Sequence, residues 1–415
     1  MTIYSRRKFL GHSAALMGGM ISQRALASSL IGQSISALVS TRPLRLLVLG
    51  DSITWGQGLK EEHKFSYLVG DWLCQKRNQQ ACRDQTLQEG VQIHVEAHSG
   101  ATIFKYQDGD KTITDRFPGE VPHRNPTVVA QIKLAAKYYR EQSIELNTID
   151  LIFVNGGVND LNAARLFVPL VLAPSIAEEA EAFCNEKMAL VLEQLSAMFP
   201  NARVVIPGYL PLVSEKTTGA ALLEILKMTL ASPDENVERL LRDEGTRELI
   251  RKLGISESLE RSLRRQFTEL SNTWARASTA AFRQAAARVN LKHPFSSPVA
   301  AASSGGAPSA FNERVLVVEV PFKPENAYGA SDTYFWKSRR IDENLKCTDP
   351  VLATSLTSED ELFRERPCMC QRGGKANDLH CLRAGFMHPN SEGAKAYRDA
   401  IVKKLETILP FTGWV

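Results

Sequence analysis

The sequence predicts an α/β fold: a parallel sheet with helices on both faces. Three observations point there. Short apolar runs alternate along the chain with longer segments of helical periodicity, the pattern of βαβ units. The apolar runs are leucine-rich or β-branched and lack strict alternation, as expected of strands buried on both sides. The chain has 415 residues, 44% hydrophobic and 23% charged, so its composition is that of an ordinary globular protein with ample apolar material for a core. Length allows two or three domains. One elaborated domain is favoured, because the short motifs described below are dispersed and must converge on one site.

The strands are expected at Leu44–Leu49, Ile93–Ala97, Leu151–Val154, Arg203–Ile206 and Arg314–Val320. Helices are expected between them. His63–Arg77 follows the first strand. Pro126–Gln142 places Pro126 in the first turn, where a missing N–H is tolerated. Ser175–Met198 leads into the fourth strand. Ser256–Ala287 carries Leu259, Leu263, Phe267, Leu270 and Trp274, then Ala277, Ala281 and Ala285, a spacing of three and four that marks one buried face. Glu392–Ile408 closes the chain, with Asn390 or Ser391 as its N-cap. Three segments read as additions to this core: a charge-rich helical insertion at 213–254, a flexible Ser/Ala/Gly/Pro loop at 294–308, and a polar, cysteine-bearing loop at 337–375. The insertion at 213–254 is either a lid or a surface embellishment. No internal repeat is present.

Residues 1–27 read as a bacterial Tat signal peptide. Ser5-Arg6-Arg7-Lys8-Phe9-Leu10 carries the twin-arginine pattern, a weakly apolar stretch runs from Phe9 to Ile21, and Ala25-Leu26-Ala27 supplies a small-x-small cleavage site. That stretch is too short to span a bilayer. The expectation is therefore export by the Tat translocase to the periplasm or beyond, with 28–43 as a linker and 44–415 as the working domain. Arg6, Arg7, Lys8 and Arg24 account for the whole net charge of +4, so cleavage leaves 46 basic against 46 acidic residues. That balance excludes a basic field for nucleic acid.

Seven cysteines occur, and export makes them disulfide candidates. Cys74 and Cys82 can close a small loop. Cys347, Cys368, Cys370 and Cys381 can form two bridges, leaving Cys184 free on a helix. A zinc site at Cys347, Cys368, Cys370, His380 and Cys381 is the weaker reading, because Cys368 and Cys370 are separated by a single residue. Gly56-Gln57-Gly58 lacks the rest of a dinucleotide fingerprint, and no metal or organic cofactor is expected.

Four short blocks carry chemistry, in fixed order: Gly50-Asp51-Ser52, Ser99-Gly100-Ala101, Gly157-Val158-Asn159-Asp160 and His388-Pro389-Asn390. The first three follow predicted strands, and ligand sites of parallel sheets lie at the carboxyl ends of strands. Together they supply a nucleophile, oxyanion donors and a general base, the parts of an acyl-transfer site. Each block alone is weak: Gly-Asp-Ser is a common turn, a glycine often ends a strand, an Asn often makes an Asx turn, and a lone His is more often structural. Asp160 reads as a structural residue that fixes its loop through backbone hydrogen bonds.

As an ordered set the blocks resemble the SGNH branch of the GDSL hydrolases, a family of esterases and lipases, over about Leu44 to the C-terminus. The resemblance implies a three-layer α/β/α sandwich with a flavodoxin-like five-stranded sheet of order 2-1-3-4-5. It assigns Ser52 as nucleophile and His388 as base, with the N–H groups of Ser52 and Gly100 and the side-chain amide of Asn159 as the oxyanion hole. His98 fits no base position in the family and is read as a pocket or supporting residue. Phe104, Tyr106, Leu161, Phe167, Tyr209 and Leu210 are candidates for an acyl pocket or for the core.

The chain departs from the family at one point. The family places Asp three residues before the base, and that position is Gly385. A backbone carbonyl near Gly385 orienting the ring in a Ser–His dyad is preferred. Asp378 or another acid reaching in from the preceding loop comes second, and an impaired site third. The expected activity is hydrolysis of lipid, acylated-glycan or small-molecule esters through a serine acyl-enzyme. The alternatives are O-acyl transfer to a glycan at the same site, or a catalytically impaired glycan-binding protein.

Overall fold

The computed structural model describes residues 42–77, 90–104, 118–230, 257–295, 313–337, 360–362, 364–375 and 378–408. The signal peptide, nearly all of the 28–43 linker, Tyr106, Cys82 and Cys347 lie outside these residues. So do most of the 294–308 loop and large parts of the 213–254 and 337–375 segments.

The chain enters on β1 (Leu44–Val48), turns at Gly50 into the one-turn helix α1 (Ser52–Trp55), and continues through α2 (Phe65–Arg77) to β2 (Val91–Val95). Helix α3 (Val128–Glu141), β3 (Leu151–Phe153) and the one-turn helix α4 (Val158–Leu161) follow. Helix α5 (Ala173–Ala180) passes through a π-helical stretch, Glu181–Lys187, into α6 (Met188–Met198) and then β4 (Arg203–Pro207). After α7 (Gly219–Leu230) and the long α8 (Glu257–Lys292) comes β5 (Val315–Val318). The chain ends with α9 (Arg366–Arg372), α10 (Leu379–Leu382) and α11 (Ser391–Ile408). The described residues all belong to one compact unit, Ser40–Val415.

The five strands pair in parallel in the order β2-β1-β3-β4-β5. Helices cover both faces, with α2 and α11 packed together on one side and α3, α6 and α8 on the other. Strands β3 and β4 are buried at every residue, whereas β2 is mostly half-buried. Position explains the difference: β2 is an edge strand with a neighbour on one side only. In this order the chain leaves β1 toward β2 and then crosses back to β3. The carboxyl ends of β1, β2 and β3 therefore flank the point where the topology reverses, and a crevice opens there.

The predicted face of α8 is largely the buried one. Leu263, Phe267, Leu270, Trp274, Ala281 and Ala285 are in the core, and the helix runs five residues further than expected because Val289 continues the same stripe. Helix α3 corrects an expectation. Pro126 precedes the helix, and Thr127 is the N-cap, its hydroxyl accepting from the Ala130 N–H at 3.2 Å. A Thr oxygen satisfies an orphan donor at the helix start, which a proline cannot do. The expected Ser175–Met198 helix is interrupted by its π-helical stretch, which carries the buried, free Cys184 against the Gly156–Gly157 turn.

The described end of the cysteine-bearing segment is helical, at α9, where an irregular loop was expected. Cys370 and Cys381 form a disulfide joining α9 to α10, and Cys74 and Cys368 are also disulfide-bonded. Arg366 at the start of α9 is fully buried. Its guanidinium pairs with Glu120 at 2.8 Å and Asp360 at 2.7 Å. Glu120 in turn accepts from Trp55 Nε1 at 2.6 Å, and from Gln57 Nε2 and the Gly58 N–H, each at 2.9 Å. Burial pushes the Glu120 carboxyl up, and Arg366 opposes that shift. Charges from two distant segments, Glu120 in one and Asp360 with Arg366 in the other, thus close over the loop that follows Ser52.

Candidate active site

Gly50, two residues beyond β1, has φ +123°, a conformation that L side chains rarely adopt. A Cβ there would meet Asn155 Oδ1 and Thr54 Oγ1 at 2.4 Å. Buried Gln131 clamps this residue from both sides: its Oε1 accepts from the Gly50 N–H at 2.7 Å, and its Nε2 donates to the Gly50 carbonyl at 2.9 Å. Asp51 then caps α1, its Oδ1 accepting from the Ile53 N–H at 2.9 Å and its Oδ2 from the Tyr209 hydroxyl at 2.6 Å. Burial raises the Asp51 pKa to about 6, against these hydrogen bonds. Ser52 is thereby held as the first residue of α1.

His388 reaches Ser52 from the other end of the chain. Its Nε2 lies 2.7 Å from Ser52 Oγ, and its Nδ1 lies 3.1 Å from the Phe386 carbonyl. A carbonyl can only accept, so Nδ1 carries the proton and Nε2 is left as an acceptor for the serine hydroxyl. The backbone beneath the ring is pinned: the Trp336 N–H donates to the His388 carbonyl at 2.9 Å, and the Asn390 N–H donates to the Tyr334 carbonyl at 2.8 Å. Asn390 caps α11 through the Gly393 N–H at 3.0 Å. Met387, between ring and carbonyl, is held at φ +60°, a strained value that the surrounding bonds over-determine.

Asp378 lies elsewhere. Its carboxylate accepts from the His380 N–H at 2.8 Å and sits 3.5 Å from Lys375 Nζ; it does not hold His388. The structure also explains why Gly stands at 385. A Cβ on Gly385 would lie 2.0 Å from Asp360 Oδ2. That carboxylate is tied to Arg366 and to the Leu362 N–H, so it cannot swing aside freely. The space a side chain at 385 would need is filled by the Asp360 carboxylate.

Gly100 follows β2 with φ +79°, and a Cβ would fall 2.8 Å from both the backbone N and O of His123. Among the described residues neither the Ser52 N–H nor the Gly100 N–H has an acceptor. Asn159 lies in α4, after β3, and its Nδ2 donates one hydrogen to the Ala101 carbonyl at 3.0 Å, which fixes the amide plane and leaves the second hydrogen available. Asp160 holds the Ile103 N–H at 2.9 Å, as its structural reading expects. Ser52, Gly100, Asn159 and His388 all line one cavity of about 540 Å³. A hydroxyl beside an imidazole acceptor, with unpaired donors facing the same space, is the arrangement needed for nucleophilic attack on an acyl carbon.

Of the acyl-pocket candidates, Phe167, Tyr209 and Leu210 line the cavity, while Leu161 is a core residue and Phe104 packs against the core. His98 is buried behind Gly100, its Nδ1 2.8 Å from the Ser99 carbonyl. Sequence reasoning missed Gln131, Asn155, Glu120, Asp360 and Arg366 as supports of the site, and His123 and Arg383 as its walls. No local motif marks Gln131, Asn155 or Glu120, because each acts on residues far away in the sequence.

Residues 48–293 match the model of the GDSL-like lipase/acylhydrolase family. Among solved structures, the chain is similar to an extracellular lipase from Streptomyces rimosus, with 11% identity, 88% of this chain and 100% of that chain covered, and a TM-score of 0.39. It is also similar to a phospholipase A1 from Streptomyces albidoflavus, with 11% identity, the same coverage, and a TM-score of 0.37. Comparison with curated proteins finds no match.

Proposed function

We propose, for a chain that belongs to the GDSL-like lipase/acylhydrolase family, that this ester hydrolase works through a serine acyl-enzyme built on Ser52 and His388. The observation that carries the reading is the 2.7 Å contact between Ser52 Oγ and His388 Nε2. His388 takes the serine proton as Oγ attacks the ester carbonyl. The oxyanion is held by the N–H groups of Ser52 and Gly100 and by the Asn159 amide. His388 then gives its proton to the leaving alcohol, and water releases the acid by the reverse sequence. The Phe386 carbonyl orients the ring in place of a carboxylate, which favours a dyad over an impaired site. We also propose that the enzyme is exported through the Tat pathway, a reading supported by Ser5–Leu10 and Ala25–Ala27; no helix among the described residues is long and apolar enough to cross a membrane.

The test is covalent labelling. A fluorophosphonate probe should add once, on the peptide containing Ser52, and abolish hydrolysis of p-nitrophenyl butyrate. Turnover that survives full labelling, or an adduct on another residue, would sink the dyad.

The acid side of the pH profile checks the base. Burial lowers the His388 pKa to about 4; the bond to the Phe386 carbonyl opposes this, and the positive charges of Arg366 and His380 add to it. Protonation destroys the Nε2 acceptor, so kcat/KM should hold as pH falls below 6.5 and reach half its plateau near pH 4. Recovery of full rate on return to pH 7 would show that the protein had stayed folded. A limb near 6.5 would mean a solvated imidazole and would remove burial as an influence on the base.

A further inference from the structure

The cavity has a charge pattern that ester hydrolysis does not require. Among its described residues are three permanent cations, Arg124, Lys375 and Arg383, and no Asp or Glu. Lys375 has a distant partner in Asp378 at 3.5 Å. Arg383 has no carboxylate partner among the described residues. Its Nη1 meets the Met228 sulfur at 3.0 Å, and its Nε is buried without a hydrogen-bond acceptor. A guanidinium left this way forgoes the paired, charge-assisted bonds it would form with a carboxylate or phosphate. The adjoining wall is apolar. Ile225 and Met228 come from α7, the described part of the 213–254 insertion, and they face the same space as Phe167 and Trp274. One cavity thus joins an acyl-transfer dyad, an apolar slot and a guanidinium that has no carboxylate partner among the described residues.

On the hydrolase reading above, we infer that the substrate is an anionic amphiphile, an ester whose apolar chain lies against α7 and Trp274 and whose carboxylate or phosphate pairs with Arg383. The insertion is then part of the binding site, not only a surface addition, because Met228 on α7 touches the residue that reads the charge.

The test separates binding from catalysis. Full-length Ser52→Ala protein, which cannot turn over by the proposed route, is titrated calorimetrically with octyl phosphate, octanoate and octanamide. At least one anion should bind about tenfold or more tighter than the neutral amide, as expected for a charge-assisted hydrogen bond, and the stronger of the two anions identifies the group read. Arg383→Met in the same background should erase that preference while leaving octanamide affinity within about twofold. Arg383→Lys, which keeps the charge and is the more conservative change to the fold, should retain part of it. Equal affinities for all three ligands would overturn the inference, as would binding of none or a preference that survives Arg383→Met. None of these results depends on hydrolysis, so failure here is distinct from failure of the dyad, which the labelling experiment reads.

Discussion

Ser52→Ala and His388→Ala should each lower kcat on p-nitrophenyl butyrate by about 10⁴-fold or more, and the double variant should fall little further. The expectation rests on the two side chains acting as one unit. The hydroxyl is a poor nucleophile until the imidazole takes its proton, and the imidazole has no other described task in the cavity. The 2.7 Å contact and the Phe386 carbonyl, which leaves Nε2 as the acceptor, are the geometric basis. What survives in each variant should come from the oxyanion donors and substrate binding, which neither substitution touches. Steady-state rates of the three variants decide the matter. Losses that multiply in the double variant would show two independent contributions and break the dyad apart. Loss with Ser52→Ala but little change with His388→Ala would point to another base.

Arg366→Met should destabilise the protein by about 3–5 kcal/mol, the loss that follows when one partner of a buried ion pair is removed. Arg366 is 1% exposed and is the guanidinium between Glu120 and Asp360. Without it, two carboxylates remain close together in a buried setting. Glu120 also holds Trp55, Gln57 and the Gly58 backbone, so the loop after Ser52 should loosen as well. Urea denaturation of the full chain measures the first effect, and kcat the second. Adding Glu120→Gln should recover part of the stability by removing one stranded charge. A change under about 1 kcal/mol for Arg366→Met would mean that solvent reaches the cluster and that it does not support the site.

The same cluster shows where sequence reasoning stopped. The strands were legible because apolar runs buried on two faces leave a local imprint, and the starts and ends of β1, β3 and β4 moved by no more than one residue. Strand β2 was placed two residues late, because the edge position leaves a half-polar Val91–Val95 with a weaker signal. In α3, Pro126 suggests a first-turn proline, but the helix starts at Val128, from the Thr127 cap. Asp378 stands near His388 in sequence, yet its carboxylate serves the start of α10.

By itself the sequence determined the α/β architecture, the four blocks and which residues could supply a nucleophile, a base and donors. Those properties belong to residue types and to spacings within one element and its turn. Only the tertiary structure decided how the base is oriented, why Gly stands at 385, and that the cavity joins an apolar slot to Arg383, which has no carboxylate partner among the described residues. Each of these depends on groups brought together across long stretches of chain: Asp360 over Gly385, Glu120 beneath Arg366, Met228 against Arg383. A side chain's role there is set by which neighbours take up its hydrogen bonds and charge once water is excluded. That is a property of the packed chain and leaves no periodicity to read.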